Sequence, residues 1–131
     1  MNLLKKHKFK IILILILGIF LFWIRSFIWG PINFEQIDVS DNQVVYESDP
    51  KNNEYSIKVY YYKGPMAYFE YSYIGSLYKD GKFVKNIFWI SPSGNDLEIE
   101  WLNENTVQLH NVKKNNEGIK LNILRDKYDF R

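Results

Sequence analysis

Tyr55-Ser56-Ile57-Lys58-Val59-Tyr60-Tyr61-Tyr62 is the run on which the fold turns. Tyr55, Ile57, Val59 and Tyr61 alternate with Ser56, Lys58 and Tyr60, and residues two apart share a face only when the backbone is extended, so the run reads as a strand with one buried face. Leu97-Glu98-Ile99-Glu100-Trp101 repeats the pattern with Glu98 and Glu100 outward, and residues 118–123 repeat it again. Further strands are expected over 43–47, 67–78, 82–90 and 106–110. Between them lie clusters of turn chemistry at 49–53, 79–81, 91–96, 103–105 and 113–118, rich in Asn, Asp, Gly, Pro and Ser. About seven short strands joined by short polar turns predict a mainly β domain, either a small antiparallel β-sandwich or an open barrel.

Toward the N-terminus the period changes. Ile11 to Ile24 is an unbroken apolar run of 14 residues, only about 21 Å of helix. Extended from Phe9 to Trp29 it reaches about 31 Å, enough for a hydrocarbon core of about 30 Å. Lys10 and Arg25 then lie near its ends, where long side chains can rise to the headgroups. Phe9, Trp23, Phe27 and Trp29 are aromatics of the kind that collect at membrane interfaces. A cleaved secretory signal shares the basic start and the apolar core, but needs small residues at a scissile site, and this stretch offers only Ser26 and Gly30 among bulky neighbours. The retained anchor is therefore the favoured reading.

Charge orients the span. Of the 17 Lys and Arg, five (Lys5, Lys6, Lys8, Lys10 and Arg25) fall in the first 25 residues, with no acid among them. Four precede the span, so the positive-inside bias holds the N-terminal tail in the cytoplasm and sends the β domain outward. This partition predicts a basic tail (1–8), an anchor (9–29), a short linker (30–42) and an extracytoplasmic β domain (43–131) of a single-pass cell-membrane protein. In the linker Ile32, Phe34, Ile37 and Val39 could pack on the domain. After Arg25 the chain carries 12 basic and 15 acidic residues, net −3. A nucleic-acid surface is not indicated. With no cysteine the domain has no disulfide and must be held by its own core.

Little chemistry is visible. The two histidines, His7 and His110, are far from the clusters that metal sites need. Asp96, Glu98 and Glu100 share one strand face and could gather Ca²⁺ or a basic ligand, although such a ladder is more often a solvated face. Ser76-x-x-Lys79 and Ser40-Asp41-Asn42 match fragments of penicillin-interacting enzymes, in the wrong order and without the third motif. Catalytic residues, cofactors and metals are accordingly not expected. The positive hint is aromatic: if Tyr61 points inward, Tyr60 and Tyr62 point outward, unless a second layer covers them. Exposed rings can stack on sugars or anchor a protein partner. Tyr60, Tyr62, Glu98 and Glu100 are thus the candidate contact residues. The favoured function is a non-enzymatic binding module for an envelope protein partner, with a cell-wall glycan or small ligand as the alternative.

Asp49-Pro50 with the Tyr55 to Val59 strand, Lys85-Asn86-Ile87-Phe88-Trp89, the Glu98 to Val107 segment and the Tyr128-Asp129-Phe130-Arg131 ending resemble domain of unknown function family 5412, over about residues 45–131. The chain departs from the pattern at Gly64-Pro65-Met66-Ala67 and over 112–118. The resemblance implies a small exported or membrane-anchored β protein of Gram-positive bacteria. It implies no activity and no catalytic residue.

Overall fold

The computed structural model describes residues 2–48, 54–63, 72–91, 96–112 and 118–131, without the side chains of residues 2–4. The expected turn at 49–53, residues 92–95 of the turn expected at 91–96, residues 113–117 of that expected at 113–118, and residues 67–71 of the third expected strand lie outside the described residues.

One helix among the described residues, α1 (Asn2–Trp29), opens the chain. From Ile11 to Ile24 it is apolar on every side, and none of the membrane-length window within Lys5–Trp29 is buried inside the protein. That sets it apart from the core helix of a soluble fold, which hides its apolar face. By length and composition it can cross a membrane, a property shared by anchors and signal sequences. It stops where the backbone turns left-handed: Gly30 has φ 78°, and its N–H donates to Ser26 O at 2.9 Å. This is the αL cap that glycine adopts without steric cost.

Among the described residues eight strands follow: β1 (Val44–Ser48), β2 (Tyr55–Tyr62), β3 (Ser72–Lys79), β4 (Lys82–Ile90), β5 (Glu98–Asn103), β6 (Thr106–His110), β7 (Ile119–Asn122) and β8 (Tyr128–Asp129). They form two sheets, ordered β1-β2-β3-β4-β8 and β5-β6-β7, so the body is two-layered and no closed barrel forms. The strand beyond the expected seven is β8, which pairs parallel to β4 through Phe88↔Tyr128 and Trp89↔Asp129. Two residues cannot display a period, which is why this strand left no trace in the alternation.

The main core lies between the sheets. Ile57, Val59, Leu77, Phe88 and Ile90 from the larger sheet meet Ile99, Val107, Leu109, Ile119 and Leu121 from the smaller. Along one margin Trp101 Nε1 donates to Ser48 Oγ at 2.7 Å, so the only hydrogen-bonding group on the indole is satisfied as β5 meets β1.

A second core covers the opposite face of the larger sheet. Phe34 and Val39, 2% and 3% exposed, lie on Tyr60, Ile74 and Trp89, with Ile37, Tyr62, Tyr78 and Phe130 packed around them. The 30–42 linker therefore belongs to the fold, although Ile32 stays 66% exposed. Its anchor is Asn86, wholly buried. The Asn86 amide donates through Nδ2 to Phe34 O and Ile37 O, both at 2.9 Å, and its Oδ1 accepts from Ser76 Oγ at 2.6 Å. Its backbone N–H donates to Glu35 O at 2.8 Å. The Asn86 side-chain amide and its backbone N–H thus all have partners, as burial requires. Immediately after Asn86 the register slips, since Gly75 pairs with Phe88 and Ser76 with Asn86, leaving Ile87 as the extra residue of a bulge. The bulge lets Ile87 and Phe88 both face the main core while Asn86 and Trp89 face the linker.

Candidate functional site

The four residues expected to touch a ligand do not converge. Tyr60 and Tyr62 occupy the face of the larger sheet that carries the second core, while Glu98 and Glu100 lie exposed on the outer face of the smaller sheet. The alternation assigned the tyrosines to the correct side, but the linker is the second layer that covers it, leaving Tyr60 5% exposed. Tyr62 is half-buried, its ring edge-on to Trp89 at 5.4 Å. Glu100 Oε2 meets His110 Nε2 at 2.8 Å, and His110 is the cross-strand partner of Glu98. Among the described residues no three His, Asp or Glu gather as a metal set.

Two other places bring side chains together. The first is a cleft of about 350 Å³ between linker and hairpin, lined by Ile37, Asp38, Val39, Ser40, Tyr78 and Phe83. Tyr78 and Phe83 meet edge-to-face at 5.9 Å and form its aromatic wall. The Tyr78 and Tyr60 hydroxyls share a hydrogen bond of 2.7 Å, and the Lys58 ammonium lies 5.2 Å from the centre of the Tyr78 ring. On the opposite lip Asp38 accepts from Ser40 Oγ at 2.6 Å and Ser40 N at 3.0 Å, and these bonds hold its carboxyl below the usual carboxylate range. An apolar floor with a few convergent polar groups is the usual form of a ligand site. Asp38, Tyr78 and Phe83 were not singled out by the sequence. The visible signal was Phe83-Val84, an apolar pair set among Lys79, Lys82 and Lys85 beside a turn.

Burial, and secondarily the Tyr78 hydroxyl, raise the pKa of the Tyr60 hydroxyl well above the ordinary value of 10.0. Above about pH 10 the unfolded chain releases this proton while the folded one keeps it, so folding loses stability as pH rises. Tyr60→Phe should flatten that alkaline decline in urea-unfolding curves measured from pH 9 to 11. A decline as steep as that of the native chain would show that Tyr60 does not couple to folding.

The second place is the junction of helix and sandwich, where Arg131 acts as a clasp. Its Nε and Nη2 bind the Asp129 carboxylate at 2.9 and 2.6 Å, and Nη1 donates to Trp29 O at 2.6 Å and Pro31 O at 2.8 Å. The guanidinium carbon lies 4.2 Å from the centre of the Trp89 ring, which Phe34 and Phe130 also approach. The indole N–H of Trp89 meets no acceptor among the described residues, so ring contacts hold it in place. A cation on the last carbonyls of a helix also opposes the negative end of its dipole. Of the expected anchor flanks, Arg25 and Trp29 reach this junction, lining a cleft with Ile32, Asp129 and Arg131. Trp23 is exposed along the helix, and Lys5, Lys6, Lys8 and Lys10 are exposed toward its other end.

No curated protein and no solved structure gives a significant match to this chain. One family model does match, described as a family of unknown function (DUF5412), over residues 6–131. The match takes in the helix and the linker, as well as both sheets, and so extends well beyond the stretch from residue 45 that carried the resemblance. On that span the chain belongs to the DUF5412 family of unknown function.

Proposed function

We propose that this protein is a single-pass membrane protein whose outward-facing β-sandwich is a non-enzymatic binding module for another protein of the cell envelope. The observation that supports this reading is the construction of the junction. Phe34 enters the second core only five residues after the helix ends, and Arg131 grips the backbone on both sides of Gly30. A sequence destined for removal has no need of such ties to the folded domain. The same junction places the cleft beside Tyr78 and Phe83 at the far end of β4 from Trp89, roughly 20 Å along the strand at about 3.3 Å per residue. On this reading the cleft, remote from the junction, is the surface left for a partner.

Topology is tested by protease accessibility in intact cells, where the sandwich should be attacked while the N-terminal tail is protected. Partner binding is tested by cross-linking in detergent-solubilised membranes. Phe83→Ser, at a side chain that is 44% exposed, should reduce capture of the cross-linked protein at least fivefold, since aromatic anchors in small contacts commonly contribute more than about 1 kcal/mol. Undiminished capture would remove the cleft from consideration. A glycan is the second reading, favoured by an aromatic wall facing the Asp38 carboxylate; retention on purified cell wall that depends on Tyr78 and Asp38 would select it.

A further inference from the structure

We propose that the cleft between the last helical turn and the sandwich holds the phosphate of an anionic membrane phospholipid, with Arg25 as its ligand. This rests on the reading of the helix as a retained span. The cleft, about 410 Å³, is lined by Arg25, Trp29, Ile32, Asp129 and Arg131. Helix and linker meet there, so in a bilayer it lies at headgroup depth.

The charges within it are unequal in their freedom. Arg131 is committed, giving three N–H groups to Asp129 and to the Trp29 carbonyl, and a fourth to Pro31 O. Arg25 has one bond, from Nη1 to Gly30 O, at a long 3.4 Å. Among the described residues it has no carboxylate partner, and the contact with Gly30 shows that it reaches up toward the end of the helix. The lining side chains, two arginines and one aspartate, sum to one positive charge, which matches a single phosphodiester. Arg25 also stands on the outward margin, against the bias that collects the other four cations of this segment at the inner end. An arginine held there gains a purpose if a phosphate accepts the forked, charge-assisted hydrogen bonds that guanidinium makes well. Ile32, largely exposed beside it, and Trp29 supply apolar walls for the glycerol and the first methylenes. A choline or ethanolamine headgroup would bring a second cation toward Arg25 and Arg131, so the anionic lipid is preferred.

The test uses the full chain purified in a non-ionic detergent, with phosphatidylglycerol, phosphatidylcholine or inorganic phosphate added, and native mass spectrometry to count bound lipid. The native chain should retain one phosphatidylglycerol in preference to phosphatidylcholine, and millimolar inorganic phosphate should not displace it. Arg25→Gln should lower retention about tenfold with an unchanged circular dichroism spectrum, and Arg25→Lys should recover part of the loss. Equal retention by Arg25→Gln, or displacement by inorganic phosphate as readily as by lipid, overturns the proposal. Recovery of the native chain in the soluble fraction of cells would instead defeat the anchor reading. A chain found in the membrane fraction with no Arg25-dependent lipid defeats this proposal alone.

Discussion

Gly75→Ala should destabilise the sandwich by about 3 kcal/mol, at the upper end of what overpacking a core ordinarily costs. Gly75 sits in the middle of β3 with ordinary strand geometry, so its need for glycine comes from proximity. A Cβ there would stand 2.1, 2.3 and 2.5 Å from three ring atoms of Phe88, distances far inside van der Waals contact. The ring cannot simply step aside, because Phe88 is completely buried and belongs to the main core. Either the ring leaves its rotamer or β3 and β4 separate, and the directly paired register of Gly75 and Phe88 opposes both. Phe88→Leu alone should also destabilise, by removing buried ring atoms. The double variant should be more stable than the two single effects predict when added, because the smaller side chain vacates the space that the new methyl needs. Urea denaturation of all four chains measures the coupling. An alanine variant within 0.5 kcal/mol of the native chain would contradict the close approach.

Asn86→Asp should have an effect of similar size by an electrostatic route, about 3 kcal/mol for leaving a buried charge without compensation. The substitution keeps the shape of the side chain and removes both Nδ2 hydrogens. A carboxylate oxygen then faces the Phe34 and Ile37 carbonyl oxygens, where a donor stood at 2.9 Å from each. The linker should lift first, since these bonds fasten it to the sheet, and Trp89 would lose its cover from Phe34. The expected signs are a red-shifted tryptophan emission and new proteolytic cleavage within 31–42. Lowering the pH should lessen the defect. Burial raises the pKa of the new acid, and once protonated it can donate one hydrogen bond in place of the two lost. A defect that deepens toward acid pH would place the loss elsewhere.

The alternation at Ile57 and Val59, at Ile99 and Trp101, and at Ile119 and Leu121 was readable because these side chains face the core between the sheets while polar neighbours (Lys58, Glu98, Glu100, Lys120) point the other way, so local order carried long-range information. The covering of Tyr60 was not readable in the same way. Period two assigns a residue to a face of a sheet and is silent on what lies above that face. Here the cover is a linker whose apolar positions, Phe34, Ile37 and Val39, keep no regular spacing. The bulge at Ile87 was hidden too, since one extra residue resembles an ordinary apolar run over Ile87-Phe88-Trp89-Ile90. For the sites, the aromatic wall needs Phe83 opposite Tyr78, a pairing that follows a second register slip between Leu77 and Tyr78. The clasp joins residues 102 positions apart, and nothing local announces such a contact.

The splinting of Gly30 has a mechanical consequence. A glycine at positive φ beside a helix end would by itself act as a swivel and let the sandwich tumble independently of the helix. With Arg131 bonded to the carbonyls on either side of it, that swivel is braced. If the helix crosses a membrane, its tilt follows the thickness of the bilayer, and a change in that tilt would be passed to the sandwich rather than absorbed at Gly30. In a membrane, the thickness of the lipid would thus help decide where the Phe83 cleft points.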